Sequence, residues 1–133
     1  MALERAATHA LEAGAEVAQR VTWLHADLST WVPAPAAYQL VSAQFLQLPK
    51  DQREPVHRRL AAWVAPGGTL LVVGHHPSDL QTRVPRPQVP ELFFTASDVA
   101  AGLDAAEWVV LVDEARAIPS TLTAARSPSM TRC

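Results

Sequence analysis

Apolar and polar positions switch period most clearly between Val56 and Val73. Val56, Leu60, Trp63 and Val64 recur at three-to-four spacing, which predicts one buried stripe along a helix. Pro66 cannot continue that helix, and Gly67-Gly68 supplies the φ > 0 conformations that a sharp reversal needs. Thr69 to Val73 is then a short apolar, partly β-branched run, the pattern of a strand covered on both faces. The helix is predicted to begin at Asp51, whose carboxylate would cap the first amides, with Glu54 three residues on and Pro55 in the first turn.

The same reading extends both ways. Leu3, Ala6, Ala7, Ala10 and Leu11 predict a helix over 3–13, ended by Gly14. Val21 to Ala26 and Tyr38 to Ala43 are predicted strands, separated by a loop that contains Pro33 and Pro35. Pro77 to Pro90 holds four prolines and reads as a long loop. Thr95 or Ser97 is expected to cap a short helix ending near Gly102, and Trp108 to Val112 is a further apolar strand. After Pro119 neither period is present, so residues 1–119 are expected to form one domain and 120–133 a disordered tail. Strands alternating with amphipathic helices predict an α/β protein with a parallel sheet, in which ligands sit beyond the carboxyl ends of the strands.

Composition narrows the choice. The chain has 133 residues, 49% of them hydrophobic, enough for one core. A net charge of −2 gives no electrostatic support to phosphate neutralisation, so nucleic acid is not an expected partner. The basic group Arg53, His57, Arg58 and Arg59 is expected to form a solvated helix face. No apolar run reaches the roughly 20 residues of a membrane span. Cys133 is the sole cysteine, and no apolar signal-type segment opens the chain, so a cytoplasmic setting is expected.

Candidate chemistry lies at the predicted strand ends. Asp27 could accept from an exocyclic amine while the next amide donates to a ring nitrogen, a pair of contacts suited to adenine; Asp27-Leu28-Ser29-Thr30 is equally good turn chemistry. His75 and His76 follow the strand ending at Val73, where an imidazole could act as a base. Neighbours on an extended segment point oppositely, and His9, His25 and His57 show no ligand spacing, so no metal is expected. Ser42 lacks a nucleophile elbow, and the chain contains neither Gly-x-Gly-x-x-Gly nor a P-loop.

In order, the segments Val21–Leu28, Tyr38–Leu46 and Leu60–Leu71 resemble the middle and carboxyl-terminal portion of a class I S-adenosylmethionine-dependent methyltransferase. The first resembles the strand ending on the acidic residue that contacts the cofactor adenine. The second resembles the next strand and its cofactor-facing loop, and the third the helix, Pro-Gly-Gly turn and strand typical of the family. The resemblance implies a partial doubly wound, Rossmann-like parallel sheet that lacks its first two strands. It also implies S-adenosylmethionine as cofactor, a small-molecule methyl acceptor, and cofactor contacts from Ala26, Asp27, Leu28, Ser42, Ala43, Gln44 and Phe45. His75 or His76 would face the acceptor.

The family's glycine-rich loop and ribose-binding acidic residue would precede Met1, Gln39 stands where the family usually has Asp, and its final antiparallel strand is not recognisable in Ser120–Cys133. Cofactor binding by this chain is therefore expected to be impaired. The alternative is a non-catalytic fragment or a subunit completed by another chain, with self-association through an exposed strand edge.

Overall fold

The computed structural model describes residues 2–82, 86–116 and 129–132, and it has two compact units, Met1–Trp31 and Val32–Cys133. In the first unit, helix α1 (Ala2–Glu12) forms as predicted. Gly14, at φ 124, adopts a backbone conformation closed to other residues and leads into the short helix α2 (Ala15–Gln19). No residue of either helix is buried.

The predicted strand Val21–Ala26 does not form. A strand persists only when a neighbour takes its backbone hydrogen bonds. Residues 21–26 belong to no ladder among the described residues, and Val21, Trp23 and Leu24 remain 36%, 43% and 58% exposed. Asp27 instead organises a turn. Its carbonyl accepts from the N–H groups of Thr30 (3.1 Å) and Trp31 (2.7 Å), and its Oδ1 accepts from the Ser29 N–H at 2.8 Å.

In the second unit, β1 (Tyr38–Gln44), α3 (Lys50–Trp63) and β2 (Val64–Val73) form the predicted strand–helix–strand unit. The start of α3 differs in detail. Pro49 occupies the N-cap, its carbonyl taking the amides of Gln52 (3.1 Å) and Arg53 (2.8 Å). Asp51 therefore sits in the first turn, where its charge complements the helix dipole without capping it, and Pro55 lies inside the helix. Val56, Leu60 and Trp63 are buried as predicted and α3 packs on β1 and β2; Val64, predicted as the fourth residue of the helix stripe, is buried at the start of β2 instead. Arg53 and His57, expected in solvent, are each 5% exposed.

The Pro-Gly-Gly segment is an excursion within β2. Tyr38 pairs with Val64, and Leu40 pairs with Thr69, so Ala65 to Gly68 loop out of register while β1 advances two residues. Gly67 has φ 76, and a Cβ on Gly68 would come within 2.9 Å of the Gln39 and Ala65 carbonyl oxygens. Gly67 is therefore at a conformation that favours glycine, and Gly68 at one where a side chain would force the backbone to shift.

The remaining elements complete a mixed sheet. A 3₁₀ turn at Pro77–Gln81 and another at Pro90–Leu92 punctuate the proline-rich loop, of which residues 83–85 lie outside the described residues. Helix α4 (Ala96–Ala101) starts on a reciprocal capping box between Thr95 and Asp98 and ends at Gly102, as predicted. Strand β3 spans only Trp108–Val110, and β4 is Ser129–Arg132. The rest of the predicted tail, 120–128 and 133, lies outside the described residues.

The sheet order is β1-β2-β4-β3. β1 and β2 are parallel, whereas β4 runs antiparallel to both β2 and β3, so the expected all-parallel sheet is not what forms. A parallel neighbour requires a crossover, usually a helix. The sequence after β3 has no helical period, and the chain comes back antiparallel. The protein is thus a mixed α/β fold built on a small parallel pair with helices packed against it. Val41, Ala43, Leu70, Val72 and Trp108 are buried, with α3 packed on β1 and β2. The opposite face of β1 is open: Leu40 is 59% exposed, and Ser42 and Gln44 are exposed with it. Thr69 and Leu71 on β2 are only half-buried, so β2 alternates in burial and is not covered on both faces. No helix among the described residues is long and apolar enough to cross a membrane.

Candidate functional site

The carboxyl ends of β1 and β2 finish side by side, with Gln44 opposite Val73 and the Phe45 N–H donating to the Val73 carbonyl at 2.7 Å. Each strand then turns sharply. Phe45 takes φ 54, an uncommon conformation for a bulky side chain, and its ring is half exposed. After β2 come Gly74 and His75. The His75 ring lies 5.1 Å from that of Phe45 and 6.0 Å from that of Phe93, flanked by two aromatics.

Asp79, in the 3₁₀ turn that follows, brings Oδ2 to 3.3 Å from His75 Nδ1. A carboxylate at Nδ1 favours the tautomer with its proton on that nitrogen and leaves Nε2 as the proton acceptor. Arg86 Nε stands 3.9 Å from the same carboxylate oxygen. His75, Asp79, Phe45 and Phe93 thus form a base-and-carboxylate pair between aromatic walls, where a parallel pair is expected to receive ligands. The adjacent histidines, undivided in the sequence, have different tasks here. His76 Nδ1 accepts from the Ser78 N–H at 3.2 Å and lies 2.8 Å from Ser78 Oγ, so it caps the 3₁₀ turn.

The other sequence candidates fall in two places. Ser42 and Gln44 share the open face of β1, where Gln44 Nε2 donates to Ser42 Oγ at 3.2 Å. Ala43 is 8% exposed and directs its methyl into the core, so only its backbone could meet a ligand. Ala26, Asp27 and Leu28 belong to the first unit and follow an irregular segment, not a strand. One oxygen of Asp27 is committed to its own turn.

Sequence reasoning missed Asp79 and a buried cluster behind the site. The spacing His75-x-x-x-Asp79 across Pro77 was a local signal for the pair. The cluster had none, because Arg53 reaches elements far along the chain. Its Nη1 donates to the Leu48 carbonyl at 3.2 Å and to the Glu91 carbonyl at 2.9 Å. Its guanidinium carbon sits 4.6 Å from the centroid of the Phe94 ring, and burial holds its pKa below the usual arginine value despite the attraction of Asp98 and Glu54. His57 meets the same ring edge-on at 5.7 Å. Its Nε2 is buried with no hydrogen-bond partner among the described residues. Burial first, and the Arg53 charge second, push its pKa down to about 4. Among the described residues, no group of three or more His, Cys, Asp or Glu side chains gathers to hold a metal ion.

The chain matches no protein-family model and no curated protein.

Proposed function

We propose that this chain carries the sulfonium- and acceptor-facing part of a class I S-adenosylmethionine-dependent methyltransferase domain, acting on a small molecule. The observation that carries the reading is the last strand. β4 runs antiparallel and slots between β2 and β3, whereas the sequence by itself offers no sign of the final antiparallel strand that the resemblance implies. The His75–Asp79 pair and Phe45, together at the carboxyl ends of the parallel strands, supply the chemistry.

When bound, the cofactor supplies a methyl group on a positively charged sulfur, which leaves as a neutral thioether. The residues of the chain position the reactants and manage one proton. Phe45 offers an aromatic face at the end of β1, and the Ser42–Gln44 pair offers polar groups on the same strand. His75 Nε2 takes the proton of a weakly acidic acceptor such as a phenol, and Asp79 stabilises the imidazolium formed. The fit is partial. The five glycines, Gly14, Gly67, Gly68, Gly74 and Gly102, include no Gly-x-Gly element to cradle the methionine end.

Binding is accordingly weak. Equilibrium dialysis with labelled S-adenosylmethionine should give a dissociation constant of about 1 mM, worth only about 4 kcal/mol. S-adenosylhomocysteine should displace the label and NAD should not. No binding at ten times that concentration, or equal displacement by NAD, would overturn the reading.

A second reading, a subunit completed by another chain, is favoured by the edge of β1. β1 is the outermost strand among the described residues, Tyr38–Gln44 contains no charged residue or proline, and Leu40 is 59% exposed. Such an edge invites pairing with a second copy. Sedimentation should show a mass that rises with concentration and a Leu40→Lys variant that stays monomeric. A wild-type mass that is monomeric at every concentration would exclude self-pairing.

A further inference from the structure

We infer that Phe94 is the positioning residue of the candidate site, a wedge clamped by α3 that fixes His75 against Phe45. The assignment rests on the proposed function only for the use made of His75; the geometry stands without it.

Three contacts define the wedge. The Phe94 ring lies directly on Gly74: a Cβ built there would fall 2.2 Å from Phe94 Cζ, 2.7 Å from Cε1 and 2.9 Å from Cε2. The Phe94 N–H donates to the His75 carbonyl at 3.2 Å. Arg53 covers the ring at 4.6 Å and His57 meets its edge at 5.7 Å. Phe94 is 8% exposed and both α3 side chains are 5% exposed, so nothing in this stack is free to move alone.

The stack also reaches the rest of the site. Arg53 Nη1 holds the Leu48 carbonyl, three residues beyond Phe45, and the Glu91 carbonyl, two residues before Phe93. One guanidinium thus ties together the loop carrying Phe45, the turn carrying Phe93 and, through Phe94, the turn carrying His75. The β1–β2 ladder ends with Gln44 opposite Val73 and the Phe45 N–H on the Val73 carbonyl, so beyond it the clamp adds the contacts that set the Phe45, His75 and Phe93 rings against one another. Arg suits the task because Nη1 donates to both carbonyls while the planar guanidinium lies over the aromatic ring, a flat face that the compact ammonium of Lys lacks.

The test reads ring-to-ring geometry by NMR and needs neither cofactor nor acceptor. In the wild type, cross-relaxation peaks link the rings of Phe45 and His75 and those of His75 and Phe93. The Phe94 amide should exchange about 100-fold or more slowly than in a free peptide. In folded Phe94→Leu and Arg53→Met the Phe45–His75 peak is lost. His57→Phe keeps a ring against Phe94 and retains the peak, as does Val56→Ala, a truncation in the same helix outside the clamp. A Phe45–His75 peak that persists in either folded clamp variant overturns the inference. If both variants fail to fold, rapid exchange of the wild-type Phe94 amide overturns it and slow exchange sustains it. Failure of S-adenosylmethionine to bind, with these ring peaks behaving as stated, removes the functional reading and leaves Phe94 as the positioning residue.

Discussion

Gly74→Ala is expected to destabilise the second unit by about 3 kcal/mol, the upper end of what overpacking a well-filled core costs. The reason is not backbone conformation, since Gly74 has no positive φ. It is the approach of the Phe94 ring, three of whose atoms would lie within 2.9 Å of the new methyl group. Relief would require the ring to withdraw, and Arg53 and His57 close off the withdrawal. Chemical denaturation measures the loss directly. The double variant Gly74→Ala/Phe94→Leu should recover part of it, because the branched side chain has no ring edge to meet the methyl; neighbours in contact couple in this way. A Gly74→Ala protein within about 0.5 kcal/mol of wild type, the range of an ordinary surface change, would show that the close contact is not maintained.

Acid should weaken the protein through His57. In the unfolded chain a histidine ionises near 6.5, and in the folded one burial and the Arg53 charge lower His57 to about 4. Between these values the unfolded state binds more protons, so stability rises with pH across the window. The contribution is complete above pH 6.5 and disappears as pH falls towards 4, a span worth about 3 kcal/mol at 1.36 kcal/mol per unit. His57 is 5% exposed, so solvent screens little of this. Asp98 has its pKa lowered by its two hydrogen bonds to Thr95, and it loses its share only below the usual carboxylate range. Unfolding experiments between pH 6.5 and 4.5, run on the wild type and on a His57 variant, read this contribution. His57→Phe should flatten the dependence and be the more stable protein at pH 4.5. An unchanged slope would place the protonation elsewhere.

What could be read from the sequence divides along the range of the forces involved. The α3 stripe up to Trp63, the strand Thr69–Val73 and a cap at Thr95, one of two candidates, are local and legible in residue spacing, whereas Pro-Gly-Gly reads as a reversal before the strand and is an excursion within it. Val21–Ala26 has the composition of a strand but no ladder neighbour among the described residues, and alternation alone carries no information about a partner. β4 shows the converse. Ser-Met-Thr-Arg has little apolar pattern, yet it pairs on both sides with β2 and β3. Arg53 and His57 look like a solvated face because their covering, Phe94 and the Glu91 carbonyl, comes from segments some forty residues away. His75 was visible as a candidate, and its partner Asp79 lies within one turn of it. Ala43 was placed at the right strand end but with its side chain in the core, a consequence of the two-residue alternation that also exposes Ser42 and Gln44.

The account stands or falls on whether the ends of β1 and β2 form the ligand-facing part of the molecule. Amide chemical shifts recorded while S-adenosylhomocysteine is raised into the millimolar range test this most directly. The shifts should concentrate at Ser42–Phe45 and Gly74–His75, the two chain reversals that flank the His75–Phe45 contact. Shifts confined to the opposite ends of the strands, around Tyr38 and Pro66–Gly68, or none at all, would contradict it.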